Sequence, residues 1–102
     1  MEQSGGLISV EQLDELADML ARTPGKDRIK RILTELHTKT ELSEMSKRYF
    51  IMKELARGVP QRRIASEMEV SLCNITRGSR VLKDPESEFR RHFSEMFDET
   101  HI

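Results

Sequence analysis

Cysteine occurs once in the chain, at Cys73, so no intramolecular disulfide can form and a reducing, cytoplasmic setting is expected. No cysteines or histidines stand at metal-ligand spacing, so no metal site is expected. There is no glycine-rich phosphate loop and no nucleophile with a spaced base, which leaves an enzyme little to work with, and none is expected. Long apolar runs are missing, so neither a membrane span nor a secretory signal is expected. Only 5% of residues are aromatic and 36% apolar, while 34% are charged, a balance that suits short helices with wide solvated faces. The 102 residues fit one small domain, near the lower end of what buries a stable core alone, and a second copy of the chain would help.

What the sequence does contain is concentrated in residues 60–83. Gln61, Ala65, Val70 and Ile75 fall at the intervals used by a DNA-binding helix-turn-helix: a small residue where the helices cross, then apolar residues after the turn and inside the second helix. Ser71 is placed to cap that second helix by accepting from the amide of Asn74. Leu72, Ile75, Gly78 and Leu82 make one face at helical spacing and leave Cys73, Asn74, Thr76, Arg77 and Arg80 outside it. Glu69 stands where the turn usually carries Gly. A side chain there costs ~1 kcal/mol or somewhat more, so the turn is expected to differ in detail.

The net charge of −1 hides a segregation. Residues 1–46 hold six basic and nine acidic side chains, residues 47–83 nine basic and three acidic, and residues 84–102 two basic and six acidic. A central block of +6 coinciding with the helix-turn-helix is the electrostatic footprint of a phosphate-facing element on an otherwise acidic chain.

The remaining elements read as helices, giving an all-α fold of about six short helices. Residues 1–8 are polar, contain Gly5-Gly6 and read as a flexible arm ahead of a single domain over residues 9–102. Ser9-Val10-Glu11-Gln12 has the form of a capping box, followed by an apolar stripe of Val10, Leu13, Leu16, Ala17 and Leu20 and closed by Thr23-Pro24-Gly25. A second helix over about residues 26–37 is expected to bury Ile29, Ile32, Leu33 and Leu36. Thr38-Lys39-Thr40-Glu41 repeats the capping logic for a short third helix ending near Met45. A fourth runs over about residues 46–57, with Tyr49, Met52, Leu55 and Ala56 on one side, and Gly58 supplies its left-handed stop. Pro60 opens the fifth, with Ile64, Ala65 and Met68 buried. Asp84-Pro85-Glu86 reads as the start of the last helix, whose Phe89, Phe93, Met96 and Phe97 form a one-sided stripe that, with the separate stripe on the first helix, exceeds what one small core covers. That surplus suggests a partner chain. His37, His92 and His101 show no triad or metal pattern and read as surface or satisfied polar residues.

Ile75-Thr76-Arg77-Gly78-Ser79, with Leu82-Lys83 after it and Gln61-Arg62 before it, resembles the tryptophan repressor family. Thr38, Arg48, Glu54-Leu55 and Arg57-Gly58 fit the same frame upstream. The resemblance spans roughly residues 32–83, with one residue fewer than usual at Val59-Pro60. It implies an interlocked, all-helical homodimer that binds an operator with two reading heads. Their separation of roughly 34 Å is carried over from helix-turn-helix dimers in general, of which the Trp repressor is itself a standard example. Gln61, Arg62 and Arg63 would enter at the first helix of the motif; Leu72, Cys73 and Thr76 would approach base edges; Lys47, Asn74, Ser79 and Lys83 would address phosphates. Cys73 is open to two readings, a small apolar residue beside a thymine methyl or a redox switch needing an activated thiolate.

The resemblance also implies a pocket for L-tryptophan as corepressor, with no cofactor. Arg48 and Arg77 would sandwich the indole, Arg77 and Thr38 would meet the carboxylate, and Gly78 and Val81 would complete the site. Alternatively, the two arginines are ordinary phosphate contacts. Val81 stands where the family has a Ser that helps receive the ammonium; Glu35 is the candidate to replace it, the alternative being that Glu35 simply faces solvent. The absence of tryptophan from the chain suits a sensor of that amino acid. Sequence leaves a second function open, a helix-turn-helix module that binds DNA without tryptophan control.

Overall fold

A computed structural model describes residues 9–97. They form six helices and, among the described residues, no strand: α1 (Val10–Ala21), α2 (Lys26–Leu36), α3 (Lys39–Ala56), α4 (Gln61–Met68), α5 (Leu72–Lys83) and α6 (Glu88–Met96). The arm expected over residues 1–8 lies outside the described residues. The chain divides into two compact units, residues 1–39 and 40–102. No helix of the described residues is long and apolar enough to cross a membrane.

In the first unit α1 starts as its sequence dictates. Ser9 Oγ accepts from the Gln12 amide at 3.1 Å and Gln12 Oε1 accepts from the Ser9 amide at 3.1 Å, a complete capping box. The α2 residues expected to be buried are not, and α1 leaves its stripe open: neither helix has a buried residue, and Val10 and Leu13 are 82% and 57% exposed. Ile29, Ile32 and Leu33 are half-buried and Leu36 is exposed. Two short helices offer each other too little surface to cover both stripes, so the periodicity marks an apolar face without supplying its cover.

The second unit is built on α3. The two helices expected over this stretch are one continuous element, because nothing around Met45-Ser46 breaks a helix: no Gly, no Pro, and backbone bonds that simply continue. The helix ends at Gly58, whose φ of 89° lets the Gly58 amide donate to Leu55 O at 3.0 Å and the Val59 amide to Glu54 O at 3.0 Å. This 6→1, 5→2 pattern is the Schellman stop expected there.

Two buried clusters flank α3. Ile51 packs with Ile64 of α4 and Ile75 of α5, supported by Leu55, Val59, Ala65, Met68 and Val70. Met52 and Ala56 pack with Leu82 of α5 and Phe93 of α6, supported by Tyr49, Leu55 and Phe97. Each of these large side chains contributes about 1.5–3 kcal/mol by leaving water.

The last helix starts later than expected. Asp84-Pro85-Glu86 does not open it but forms a turn, in which Asp84 Oδ1 accepts from the Glu86 amide at 2.9 Å and Asp84 O accepts from the Ser87 amide at 3.0 Å. Ser87 is the cap, its Oγ accepting from the Arg90 amide at 3.2 Å. An Asp before Pro serves an Asx turn as readily as a helix cap, and here a serine three residues on takes the capping role. The Phe stripe of α6 divides: Phe93 is fully buried in its own unit, while Phe89 and Met96 are exposed.

Candidate nucleic-acid interface and the adjoining cleft

The residues expected to contact DNA, Lys47 of α3 apart, lie on α4 and α5. α4 begins at Pro60, whose carbonyl accepts from the Arg63 and Ile64 amides at 3.0 and 3.1 Å. It ends at Glu69, which adopts the left-handed conformation (φ 53°, ψ 48°), so the turn keeps the geometry that usually calls for Gly and bears the cost of a side chain there. The Val70 amide then donates to Ala65 O at 3.2 Å, and Ser71 Oγ caps α5 by accepting from the Asn74 amide at 3.2 Å, as its position predicts. Ala65 is half-buried against the Ile51, Ile64 and Ile75 cluster.

α5 presents two faces. Ile75, Gly78 and Leu82 are buried against α3, and at Gly78 the approach is close: a Cβ there would stand 3.3 Å from Ile51 Cγ2 and from Met52 Cγ. Leu72, expected on the buried face, is 54% exposed at the first position of α5. That puts Leu72 beside Cys73, Asn74 and Thr76 on the solvent face, all exposed, with Thr76 Oγ1 donating to Leu72 O at 2.9 Å. From α4, Gln61, Arg62 and Arg63 are exposed, and Arg63 Nε donates to Glu67 Oε2 at 3.0 Å.

Three of the expected DNA contacts converge. Gln61 at the start of α4 and Ser79 and Lys83 near the end of α5 line one pocket of about 320 Å³, walled by Leu55, Gly58, Val59, Pro60 and Leu82. Lys83 is the one cationic side chain in that lining, which also includes Pro60 and Gln61 at the start of α4. Lys47 is half-buried on α3 and does not line it.

On another side of α5 a smaller cleft of about 60 Å³ is lined by Arg48 and Met52 of α3 and by Asn74, Arg77, Gly78 and Val81 of α5. Four of the six ligand residues inferred from the resemblance, Arg48, Arg77, Gly78 and Val81, thus meet around one opening. Sequence reasoning missed Met52 and Asn74 as lining residues. Their signal was the helical register: Met52 is one turn on from Arg48, and Asn74 shares the i, i+3, i+4, i+7 row of Arg77, Gly78 and Val81. The other two belong to the first unit. Glu35 Oε2 accepts from Arg31 Nε at 3.2 Å on an exposed face of α2, and Thr38 is the residue immediately before α3.

The described histidines have local partners. His37 Nδ1 lies 2.7 Å from Leu33 O and His92 Nε2 lies 3.4 Å from Tyr49 Oη, while His101 lies outside the described residues. Among the described residues no group of three His, Cys, Asp or Glu could hold a metal ion.

The chain is similar to known proteins over most of its length. A protein of Pasteurella multocida (strain Pm70) described as "Trp operon repressor homolog" is 33% identical over 92 residues, covering 89% of this chain and 90% of its own. No solved structure matches the chain. The family model described as "Trp repressor protein" matches residues 11–97, from α1 through the α4–α5 pair to the end of α6, and the chain belongs to that family.

Proposed function

We propose that the protein is a homodimeric transcriptional repressor that binds operator DNA through a helix-turn-helix formed by α4 and α5, with L-tryptophan as the corepressor that raises its DNA affinity. The observation that carries this reading is that α5 supplies both sites: Asn74, Arg77, Gly78 and Val81 wall the cleft, while Ser79 and Lys83 of the same helix line the cationic pocket. A ligand in the cleft therefore acts directly on the helix that faces DNA.

The size of the cleft supports a coupled mechanism. An apolar cavity of about 150 Å³ takes up one benzene, and the cleft, at about 60 Å³, is well below that. A bicyclic indole enters only when the exposed Arg48 and Arg77 side chains swing over its faces and α5 shifts against α3. Guanidinium planes on an aromatic ring contribute ~1 kcal/mol or more once desolvated. The ligand shifts the orientation of α5 by its differential affinity for the two positions, and a coupling of ~1 to 3 kcal/mol corresponds to about five- to 150-fold in DNA affinity.

Dimerisation is supported by apolar surface that one chain leaves open: the α1 stripe, and a groove of about 490 Å³ along α3 and α6 lined mainly by Met45, Tyr49, Phe50, Met52 and Phe89. A second copy covering these faces would bury them and set two reading heads on a two-fold axis. The protein works in the cytoplasm under this reading and performs no catalysis.

Isothermal calorimetry with L-tryptophan, followed by a gel shift with and without it on DNA selected by the protein from a random pool, tests the proposal. Saturable binding and a tryptophan-dependent increase in retardation are expected. Retardation indifferent to tryptophan would leave the alternative of a DNA-binding module without this control, and absence of retardation under both conditions would overturn the repressor reading.

A further inference from the structure

Arg90 lies in the first turn of α6, and its side chain runs back across the α5–α6 junction. Its Nη1 donates to the carbonyl oxygens of Leu82 and Lys83, each at 3.3 Å. These are among the last carbonyls of α5, which have no partner within the helix and carry the negative end of its dipole. The intervening turn does not need this contact. It is closed by the bonds of Asp84 to the Glu86 and Ser87 amides, and Ser87 caps α6. Arg90 is half-buried, whereas its neighbour Arg91 is exposed and pairs with Glu95 on its own helix at 3.3 Å.

The two residues that Arg90 grips by their backbone, Leu82 and Lys83, also line the cationic pocket. The end of a helix frays most readily, and a lysine on a fraying turn spreads its ammonium over many positions. A cation fixed across the final carbonyls suppresses that fraying.

We propose that Arg90 is a positioning residue for the DNA interface: without touching DNA, it locks the final turn of α5 so that Lys83 is held at the pocket. The inference rests on the DNA-binding reading given above. It predicts that the contribution of Lys83 exists only while Arg90 is in place, which neither a general structural role nor a direct phosphate contact by Arg90 would produce.

The test is a double-mutant cycle in the full chain, read by fluorescence anisotropy on a labelled 40-bp duplex of arbitrary sequence across a salt series. Lys83→Ala is expected to weaken binding roughly tenfold and to flatten the salt slope by about one contact. Arg90→Ala is expected to reproduce most of that loss and the same flattening, and the double variant to bind within about twofold of either single variant. Arg91→Ala serves as the control and should bind like wild type. If Arg90→Ala does not fold, Arg90→Lys carries the cycle: it keeps a cation within reach of one carbonyl and should restore most of the Lys83 contribution. Multiplying losses in the double variant, or a full Lys83 effect when Arg90 is absent, would overturn the proposal while leaving DNA binding intact. Failure of the wild type to bind the duplex at low salt would instead remove the DNA-binding reading, and this proposal with it.

Discussion

Gly78 of α5 faces Met52 of α3 so closely that a methyl group on its Cα would stand 3.3 Å from Met52 Cγ, and as close to Ile51 Cγ2. The glycine is not there for a turn, since it lies in the middle of a helix where Gly costs about 1 kcal/mol relative to Ala. What it supplies is the close approach that places α5 on α3 and forms the floor of the cleft between Arg48 and Arg77.

Gly78→Ala therefore sets two effects of similar size against each other. Helix propensity gains about 1 kcal/mol, and Ile51 and Met52 must yield by a few tenths of an ångström. The expected outcome in urea unfolding is a net change within about 1 kcal/mol. Gly78→Val exceeds what those side chains can yield and should cost ~1–3 kcal/mol. Both variants narrow the cleft and should weaken tryptophan in calorimetry, Val more than Ala.

Glu69 holds a left-handed conformation that an L side chain adopts at a cost of ~1–2 kcal/mol, and no ion pair of the described residues involves it. Glu69→Gly should stabilise the α4–α5 pair by about 1 kcal/mol and raise the thermal midpoint by roughly 4–8 °C. A lower midpoint would show that the Glu69 side chain contributes more than its backbone strain removes.

Phe93 is fully buried among Met52, Ala56 and Leu82, with its ring 5.6 Å from that of Tyr49 and 4.7 Å from that of His92. Phe93→Ala should cost ~3–5 kcal/mol, as expected for an aromatic side chain removed from a closed core. Phe89 on the same helix is 40% exposed and stacks on Phe93 at 6.2 Å, so Phe89→Ala should cost clearly less than Phe93→Ala and reduce self-association in sedimentation. Equal losses of stability from the two variants would contradict the division of the stripe into core and surface.

These positions show which parts of the fold the sequence announces. Ser9, Ser71 and Gly58 are local signals whose chemistry is complete within six residues, and each does in the structure what its spacing predicts. Asp84-Pro85 carried two local meanings, and the choice between them depended on Ser87 capping α6. The join of two expected helices into α3 left no mark, because continuity is the absence of a breaker. Periodicity identified the apolar face of α1, but periodicity carries no information about what lies opposite. In the cleft, Arg48 and Arg77 are 29 positions apart, and only the family resemblance linked them before the packing of α5 on α3 set them around one opening.

Lys83 and Arg62 should separate affinity from specificity. Lys83 lines the cationic pocket with Ser79 and Gln61, whereas Arg62 is exposed at the start of α4. Lys83→Ala should weaken binding to selected and random duplexes alike and lower the salt slope by about one. Arg62→Ala should reduce the preference for the selected duplex, with a loss of ~1–3 kcal/mol on that sequence alone. Equal effects of both variants on both duplexes would mean that α4 and α5 are turned differently on DNA.

Under the proposed reading, Val81 is the position expected to set how the cleft treats an amino acid as opposed to a plain carboxylate. Along α5 the wall consists of Asn74, Arg77, Gly78 and Val81, and α3 adds Arg48 and Met52: two guanidiniums for a carboxylate and an aromatic ring, and no carboxylate for an ammonium. A neutral polar group buried without a partner costs ~1–3 kcal/mol, and a charged one more, so the ligand ammonium gains little against Val81. Val81→Ser places a hydroxyl oxygen one turn beyond Arg77 and Gly78, where it can accept from that ammonium. Calorimetry with L-tryptophan and with indole-3-propionate, its desamino analogue, should show Val81→Ser strengthening tryptophan relative to the analogue by ~1 kcal/mol, or about fivefold. The analogue itself should bind with nearly unchanged affinity, because it has no ammonium to donate to the added hydroxyl. A hydroxyl that strengthened both ligands equally would be acting on the shape of the cleft rather than on the ammonium, and Val81 would then carry no selectivity between them.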